Sequence, residues 1–444
     1  MHAIDKQWVV PGICEHPFRE QLTNEIHARP SLALQAPLKV THLALLSGEG
    51  AADAELQHVA DLCRCFGAAE PSADINFWNV DLGPFHLNWE RHTEFSTYSF
   101  FKQDGFETPF DDVVIDLVPQ DWLRQLAGEI LVAIHLAVDA DTFSERNSKE
   151  IVNFFSSDNI AASSMASGAL SAWSDFRLHD DGFTRFYVRG QNLEPRQTGR
   201  LVQRLLEIET YRMMALLAFP VARDIGAKVS LCENAMMSLT EQLAESRELQ
   251  NDQSLLDELS QLAADVERLV AGSSYRFSAA RAYYALVQRR IAELREQRLA
   301  GYASIQEFME RRLEPAMRTC ESVSERLSNL SKRIARAANL LRTRVDVVLE
   351  QQNRDLLDSM NRRAKLQLRL QETVEGLSVV VLSYYLVGLI GYTFKALKAG
   401  GMAINPDLFT GLSVPLVFGL VWLGLGKVRR ILLREHLEHK HTRS

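Results

Sequence analysis

Two imidazoles and two carboxylates recur at even positions of one aromatic-rich stretch, residues 85–101. They are His86, Glu90, His92 and Glu94. In an extended strand, side chains at every second position share a face, so these groups could bind a metal ion or transfer protons. The solvated face of an antiparallel sheet has the same alternation. The sequence leaves both interpretations open and favours the second.

A second group of ionisable residues lies in the helix-like pattern that follows residue 194. Glu207, Glu209 and Arg212 form a Glu-x-Glu-x-x-Arg sequence among apolar residues at helical spacing. These side chains could form a site. Ion-paired helix surfaces commonly show the same spacing, and that is the simpler interpretation.

The motifs that usually identify a nucleotide or cofactor site are missing from the sequence. It contains no Gly-x-Gly-x-x-Gly and no Gly-Lys-Ser/Thr, the glycine-rich sequences that hold phosphate groups. The five cysteines are odd in number and scattered, which argues against a disulfide framework and suits a reducing compartment. The sequence therefore predicts a protein that is not an enzyme and has no cofactor and no metal.

The overall charge argues against nucleic acid as a partner. The formal net charge is −8 and the isoelectric point is about 5.9, whereas a nucleic-acid binder more often carries a basic face. The 444 residues are enough for two or more structural units.

The elements that must position the first group form a predicted α/β or α+β domain over residues 1–190. Strands are expected at 38–46, 76–82, 85–101 and 130–138, and a helix at 51–66. Two further strands, 169–178 and 183–188, flank the turn-forming sequence Asp180-Asp181-Gly182.

Residues 191–375 are predicted to be a helical stalk, with a hairpin turn at Gly272-Ser273-Ser274. Within it, apolar residues step by four and three alternately, as in the seam of a coiled coil. The seam residues are Val323, Leu327, Leu330, Ile334 and Leu341. An apolar seam must be buried against another helix, which could belong to a second copy or to the chain's own helices within 221–299. We expect a homo-oligomer formed through the stalk and the spans described next.

Residues 376–426 are predicted to be a transmembrane hairpin. Its two spans, 376–394 and 408–426, contain no Asp, Glu, Lys or Arg, and each is about as long as a helix that crosses the hydrocarbon core. Lys and Arg are concentrated before the first span and in the tail, 427–444, rather than in the short connecting loop. The lipid bilayer is thus an expected partner, with both termini cytoplasmic and the loop outside. The first residues also lack the apolar region of a secretory signal.

Polar residues in the hairpin indicate where a pore or a packing face would lie. Ser378, Tyr385 and Tyr392 recur every seven residues, close to two helical turns. They would face either a pore or the neighbouring helix. The outer loop contributes Lys395, Lys398, Gly401, Met402, Asn405 and Asp407.

Two stretches resemble an uncharacterised bacterial family of predicted membrane-anchored proteins, a domain of unknown function. They are Arg-Gly-Gln-Asn-Leu-Glu-Pro-Arg at 189–196 and Leu-Glu-Ile-Glu-Thr-Tyr-Arg at 206–212. Together with the terminal hairpin, the similarity covers nearly the whole chain. It implies a bacterial inner-membrane protein and no particular activity.

The layout is also similar to that of CorA-type magnesium channels, which join a cytoplasmic α/β unit to long helices, two C-terminal spans and a basic tail. Those channels carry Gly-Met-Asn after the first span, whereas Gly401-Met402 is followed here by Ala403. We therefore expect a membrane-anchored scaffold or regulator whose cytoplasmic partner is unknown. The alternative is a CorA-like divalent-cation channel or transporter.

Overall fold

The computed structural model describes residues 16–19, 22–23, 32–73, 75–140, 148–156, 159–165, 168–191, 194–245, 249–400 and 405–441. The chain divides into two compact units. The first comprises Met1–Arg247 and Ser254–Asn339, and the second Glu248–Gln253 and Leu340–Ser444.

Within the described residues, the first unit is built on a mixed nine-stranded sheet in the order β2-β3-β4-β1-β5-β8-β7-β6-β9. Neighbouring strands are antiparallel except β5 and β8, which are parallel. The strands are β1 Leu38–Leu46, β2 Phe77–Asp81, β3 His86–Arg91, β4 Ser96–Lys102, β5 Glu129–Ala140, β6 Ala161–Met165, β7 Leu170–Ser174, β8 Thr184–Gly190 and β9 Gln297–Arg298. A mixed α+β domain is therefore confirmed.

The aromatic stretch 85–101 is not one strand, as predicted, but the two antiparallel strands β3 and β4. The chain reverses at residues 92–95, where the His92 amide donates to the Phe95 carbonyl at 2.8 Å. This turn contains neither glycine nor proline, the usual turn markers, and is flanked by strong strand formers. No local signal in the sequence therefore marks the reversal.

The loop after β7 also begins earlier than predicted, because β7 ends at Ser174 and not at residue 178. Phe176 has a φ of 51°, a left-handed conformation that bulky residues rarely adopt and that strand pairing does not allow.

The two faces of the sheet are covered differently. Leu87 and Trp89 of β3 pack into an apolar core that includes Val59 and Leu62 of helix α1, Ala52–Cys65. Short helices α2, Gln120–Leu123, and α3, Ser148–Val152, lie between later strands in sequence. The intervening residues of β3 point to the opposite face, which α4, Pro195–Leu216, contacts.

The remaining α-helices of the described residues are α5 Ala218–Glu245, α6 Leu249–Leu294, α7 Ile305–Arg312, α8 Glu314–Ala399 and α9 Pro406–His441. The predicted hairpin turn at Gly272-Ser273-Ser274 is wrong, since α6 continues through it. A single glycine costs a helix only about 1 kcal/mol. The Ser273 hydroxyl, moreover, bonds back to the Leu269 carbonyl at 2.7 Å.

The seam residues Val323, Leu327, Leu330, Ile334 and Leu341 are all buried. In the first unit, the face of α8 that carries Val323 packs near Gly226 of α5. Arg326 of α8 donates to Ser230 at 2.9 Å and pairs with Glu233. These contacts are made within one chain.

In the second unit, the two terminal helices pack against each other. Thr410 of α9 lies against Gly391 of α8, and the Phe394 and Phe409 rings are 5.4 Å apart. Ser378, Tyr385 and Tyr392 are exposed, so they do not pack between these helices, whereas Ser383 is buried. Lys395, Lys398, Asn405 and Asp407 are also exposed. Gly401 and Met402 lie outside the described residues.

Candidate functional site

A cavity of about 60 Å³ lies between the α4-covered face of the sheet and α4 itself. By volume it could hold about four or five waters. Strands β1, β3 and β4 contribute polar side chains, and the turn after β3 adds His92 and Phe95. Helix α4 lines the cavity with Gln203, Glu207 and Thr210.

His42 occupies the β1 side of the cavity and is buried. Its two ring nitrogens are satisfied by hydroxyls, Nδ1 by Ser99 Oγ at 2.7 Å and Nε2 by Thr210 Oγ1 at 3.1 Å. Burial, assisted by His92, lowers the pKa of His42 from 6.5 to about 3. The imidazole is therefore neutral and ties the sheet to α4.

Glu207 faces the cavity from α4. Burial raises the pKa of its carboxyl, and the charge of Glu90 raises it further, against the opposing effects of Arg290 and Gln203. Gln203 Nε2 donates to Glu207 Oε1 at 2.9 Å. Arg290 of α6 pairs with Glu207 but also with Glu293, at 2.9 Å, so the guanidinium is shared between two carboxylates.

Glu90 faces the cavity from β3. Its Oε1 accepts a hydrogen bond from Asn88 Nδ2 at 3.0 Å. Its Oε2 stands 3.9 Å from His92 Nε2, beyond hydrogen-bond distance. The His92 ring in turn stacks on Phe95 with centroids 4.3 Å apart. Glu90 can therefore accept a further hydrogen bond, in the part of the cavity that His92 and Phe95 line.

The four residues singled out in the aromatic stretch do not form one cluster. His86 bonds to Asn79 on the neighbouring strand β2, and Glu94 pairs with Arg276 of α6. Only Glu90 and His92 reach the cavity. In the described part of the chain, no three His, Cys, Asp or Glu side chains are arranged to hold a metal ion.

The Glu-x-Glu-x-x-Arg sequence separates into two roles. Glu209 forms a two-pronged ion pair with Arg212, at 2.6 and 2.8 Å. The pairing is the one expected, but Glu209 is buried and does not lie on a solvated helix surface. Glu207 instead joins Glu90 in the cavity.

His42 was missed by sequence reasoning because a lone histidine in an apolar strand gives no signal of its own.

A second constellation, also missed, links Ser156, His179 and Asp175. Ser156 Oγ lies 2.8 Å from His179 Nδ1, and His179 Nε2 lies 3.3 Å from the Asp175 carboxylate. The histidine and aspartate are buried, whereas Ser156 is exposed. The order hydroxyl, imidazole, carboxylate is that of nucleophilic hydrolases, although those use the opposite ring nitrogens.

Fold and site define a mixed α+β sheet domain, with a cavity between the sheet and α4, followed by long helices. Near the C-terminus, two stretches are long and apolar enough to cross a membrane by length and composition, one ending at Ala399 and the other being Pro406–Gly424. The chain belongs to the family described as "Protein of unknown function (DUF3422)", whose profile matches residues 14–432. No curated protein matches the chain.

Proposed function

We propose that this protein is a membrane-anchored scaffold or regulator of the bacterial inner membrane. In this proposal the terminal helices cross the bilayer, and the sheet domain and both termini face the cytoplasm. The protein has no catalytic activity, no cofactor and no nucleic-acid partner, and its sheet domain receives a cytoplasmic signal or partner.

The observation that carries the proposal is the exposed apolar surface of the terminal helices. Leu377, Leu389, Leu412 and Leu420 are each more than 60% exposed, and no charged residue occurs in 376–394 or 408–426. A surface of this kind is costly in water and suits lipid.

The distribution of basic residues supports the proposed orientation. Arg362, Arg363, Lys365 and Arg369 precede the first span, and Lys427, Arg429, Arg430 and Arg434 follow the second. The connecting loop has only Lys395 and Lys398. The excess of positive charge at the outer ends favours their retention in the cytoplasm.

Oligomer formation is assigned to the part of α8 beyond the buried seam. The seam up to Leu341 is already covered and is not available to a second copy. Farther along α8, within the second unit, large apolar side chains are exposed at Leu349, Leu356, Met360, Leu366, Leu370 and Val374. Their burial against other copies, with that of the spans, supports a homo-oligomer.

Membrane fractionation combined with reporter fusions tests the anchoring. We expect the full chain to stay in the membrane pellet after alkaline carbonate washing and a chain ending at residue 372 to be released. A reporter that is active only in the cytoplasm should be active when fused after Ser444, and a reporter that is active only in the periplasm should not. Release of the full chain, or periplasmic activity of the fusion, would overturn the proposal.

A CorA-like divalent-cation channel is the second candidate. The feature that favours it is the single helix α8, which runs from Glu314 to Ala399 and so joins the stalk directly to the first span. The missing Gly-Met-Asn sequence favours the scaffold, because the expected filter asparagine has no counterpart directly after Met402.

A further inference from the structure

We propose that the cavity between the sheet and α4 is a binding site for a small aliphatic primary amine, whose ammonium group is held by Glu90 and Glu207. The anchoring proposal matters to this inference only because it places the cavity on the cytoplasmic side. The site itself lies wholly in the sheet domain and α4.

The charge of the lining selects a cation. Among the described residues, Glu90 and Glu207 are the carboxylates that line the cavity, and neither Lys nor Arg lines it. The charge of Glu90 raises the pKa of Glu207, so the two carboxylates repel each other, and Arg290, which pairs with Glu207 from outside the lining, offsets part of that negative charge. A positive charge placed between them relieves that repulsion, whereas an anion would add to it.

The uncharged lining groups suit an ammonium head. Thr97, Ser99 and Thr210 are more than nine-tenths buried and line the cavity with Asn88 and Gln203. Their oxygens can accept hydrogen bonds, and an ammonium group has three hydrogens to donate. A bare metal ion fits less well, because no set of three ligating side chains converges among the described residues.

The apolar lining and the volume limit the rest of the molecule. Phe95, Phe101 and Tyr211 line the same cavity, so a hydrocarbon chain has an aromatic surface to contact, and the ammonium can approach a ring face. A space of about 60 Å³ accepts roughly four or five non-hydrogen atoms at one water volume each. A chain of three or four carbons fits.

A series of probes of equal length tests the charge requirement on the wild-type protein. Propylamine, 1-propanol and propionate would be added to the full chain in detergent micelles, and binding measured by ligand-observed NMR. We expect propylamine to bind at least about tenfold more tightly than propanol, because the ammonium pairs with two carboxylates, and propionate not to bind. Equal binding of amine and alcohol, or no binding of the amine, would overturn the proposal.

A pair of isosteric variants locates the site. Glu90→Gln should weaken propylamine binding about tenfold or more. Glu94→Gln, a carboxylate on the same hairpin that pairs with Arg276 outside the cavity lining, should leave it unchanged. An effect of similar size from both variants, or from neither, would contradict the assignment. The probe series needs no variant to fold, and it is independent of the membrane fractionation, so failure of one proposal is distinguishable from failure of the other.

Discussion

Gly199 of α4 lies so close to the backbone of Leu32 that a Cβ on residue 199 would stand 1.7 Å from the Leu32 carbonyl oxygen. The neighbouring Leu34 amide donates to the Pro195 carbonyl at 2.9 Å. Only glycine permits this approach. It brings the segment before β1 against the first turns of α4, and residues of both segments line the cavity.

Replacement of Gly199 by alanine should therefore destabilise the sheet domain, by about 1–3 kcal/mol or more, because backbone must move. Thermal unfolding of the full chain would measure the change. Gly272→Ala is the matched control, since Gly272 is helical and nothing lies within 4 Å of its added Cβ. That variant should be stabilised by about 0.5–1 kcal/mol. Destabilisation by Gly272→Ala would instead favour the turn that the sequence suggested.

Acid should destabilise the sheet domain through His42. Its pKa is about 3 in the folded protein and about 6.5 in an unfolded chain. Below pH 6.5 the unfolded chain takes up a proton that the folded protein does not, so stability is full above pH 6.5 and declines toward pH 3. Between pH 6.5 and pH 5, His42 alone should lower the free energy of unfolding by about 2 kcal/mol.

Urea unfolding at pH 7.5 and pH 5.0 would measure this effect. In His42→Gln, the fall in the free energy of unfolding between these two pH values should be smaller by the contribution of one proton. His135, whose pKa burial lowers to about 4, continues to contribute. The same change at the exposed His16 should leave the wild-type dependence in place. An unaltered pH dependence in His42→Gln would contradict the assigned burial.

The buried seam and the exposed part of α8 should respond differently to charge. Leu330 is 1% exposed and Leu356 is 60% exposed. Leu330→Asp, alone or with Ile334→Asp, should unfold the helical region, because a carboxylate is buried without a partner. Leu356→Asp should leave the unfolding temperature nearly unchanged and reduce the oligomer mass measured by light scattering. Unchanged stability of Leu330→Asp would show that the seam is accessible to water.

The scaffold proposal predicts that no magnesium passes through the hairpin. Liposomes that contain the purified protein and a magnesium-sensitive dye should show no flux above protein-free liposomes. Ser378, Tyr385 and Tyr392 face outward from a single chain, so only an oligomer could bring them around one axis. Protein-dependent magnesium influx that Ser378→Trp abolishes would overturn the scaffold in favour of the channel.

The non-enzymatic proposal predicts that Ser156 does not react as a nucleophile. A fluorophosphonate probe, which labels activated serines, should give no labelling above that of Ser156→Ala. The His179–Asp175 pair would then act in positioning the loop after β7. Labelling that is lost in both Ser156→Ala and His179→Asn would instead identify an acyl-transfer site of Ser–His–Asp type.

Several features follow from local sequence alone. Absence of charge over lengths of about 19 residues is sufficient to predict the two apolar helices, because an uncharged, largely apolar segment of that length matches a helix that crosses the hydrocarbon core. The long helix before them could be predicted because neither Pro nor Gly occurs between Pro315 and Gly376. The mixed α+β character followed from alternating strand patterns and the helical period at 51–66. These are short-range properties, and the sequence determines them directly.

Tertiary structure decided the positions that no local pattern marks. The hairpin at 92–95 forms because β3 and β4 pair side by side, and α6 passes through Gly272 because its packing outweighs a weak helix preference. Most of all, the cavity joins Glu90 of β3, His42 of β1 and Glu207 of α4, residues separated by up to 165 positions. Their meeting depends on the strand order and on the contact between Gly199 and Leu32. The strand order and this contact both depend on packing between residues that are far apart in the chain. A single sequence contains no periodic signal for either.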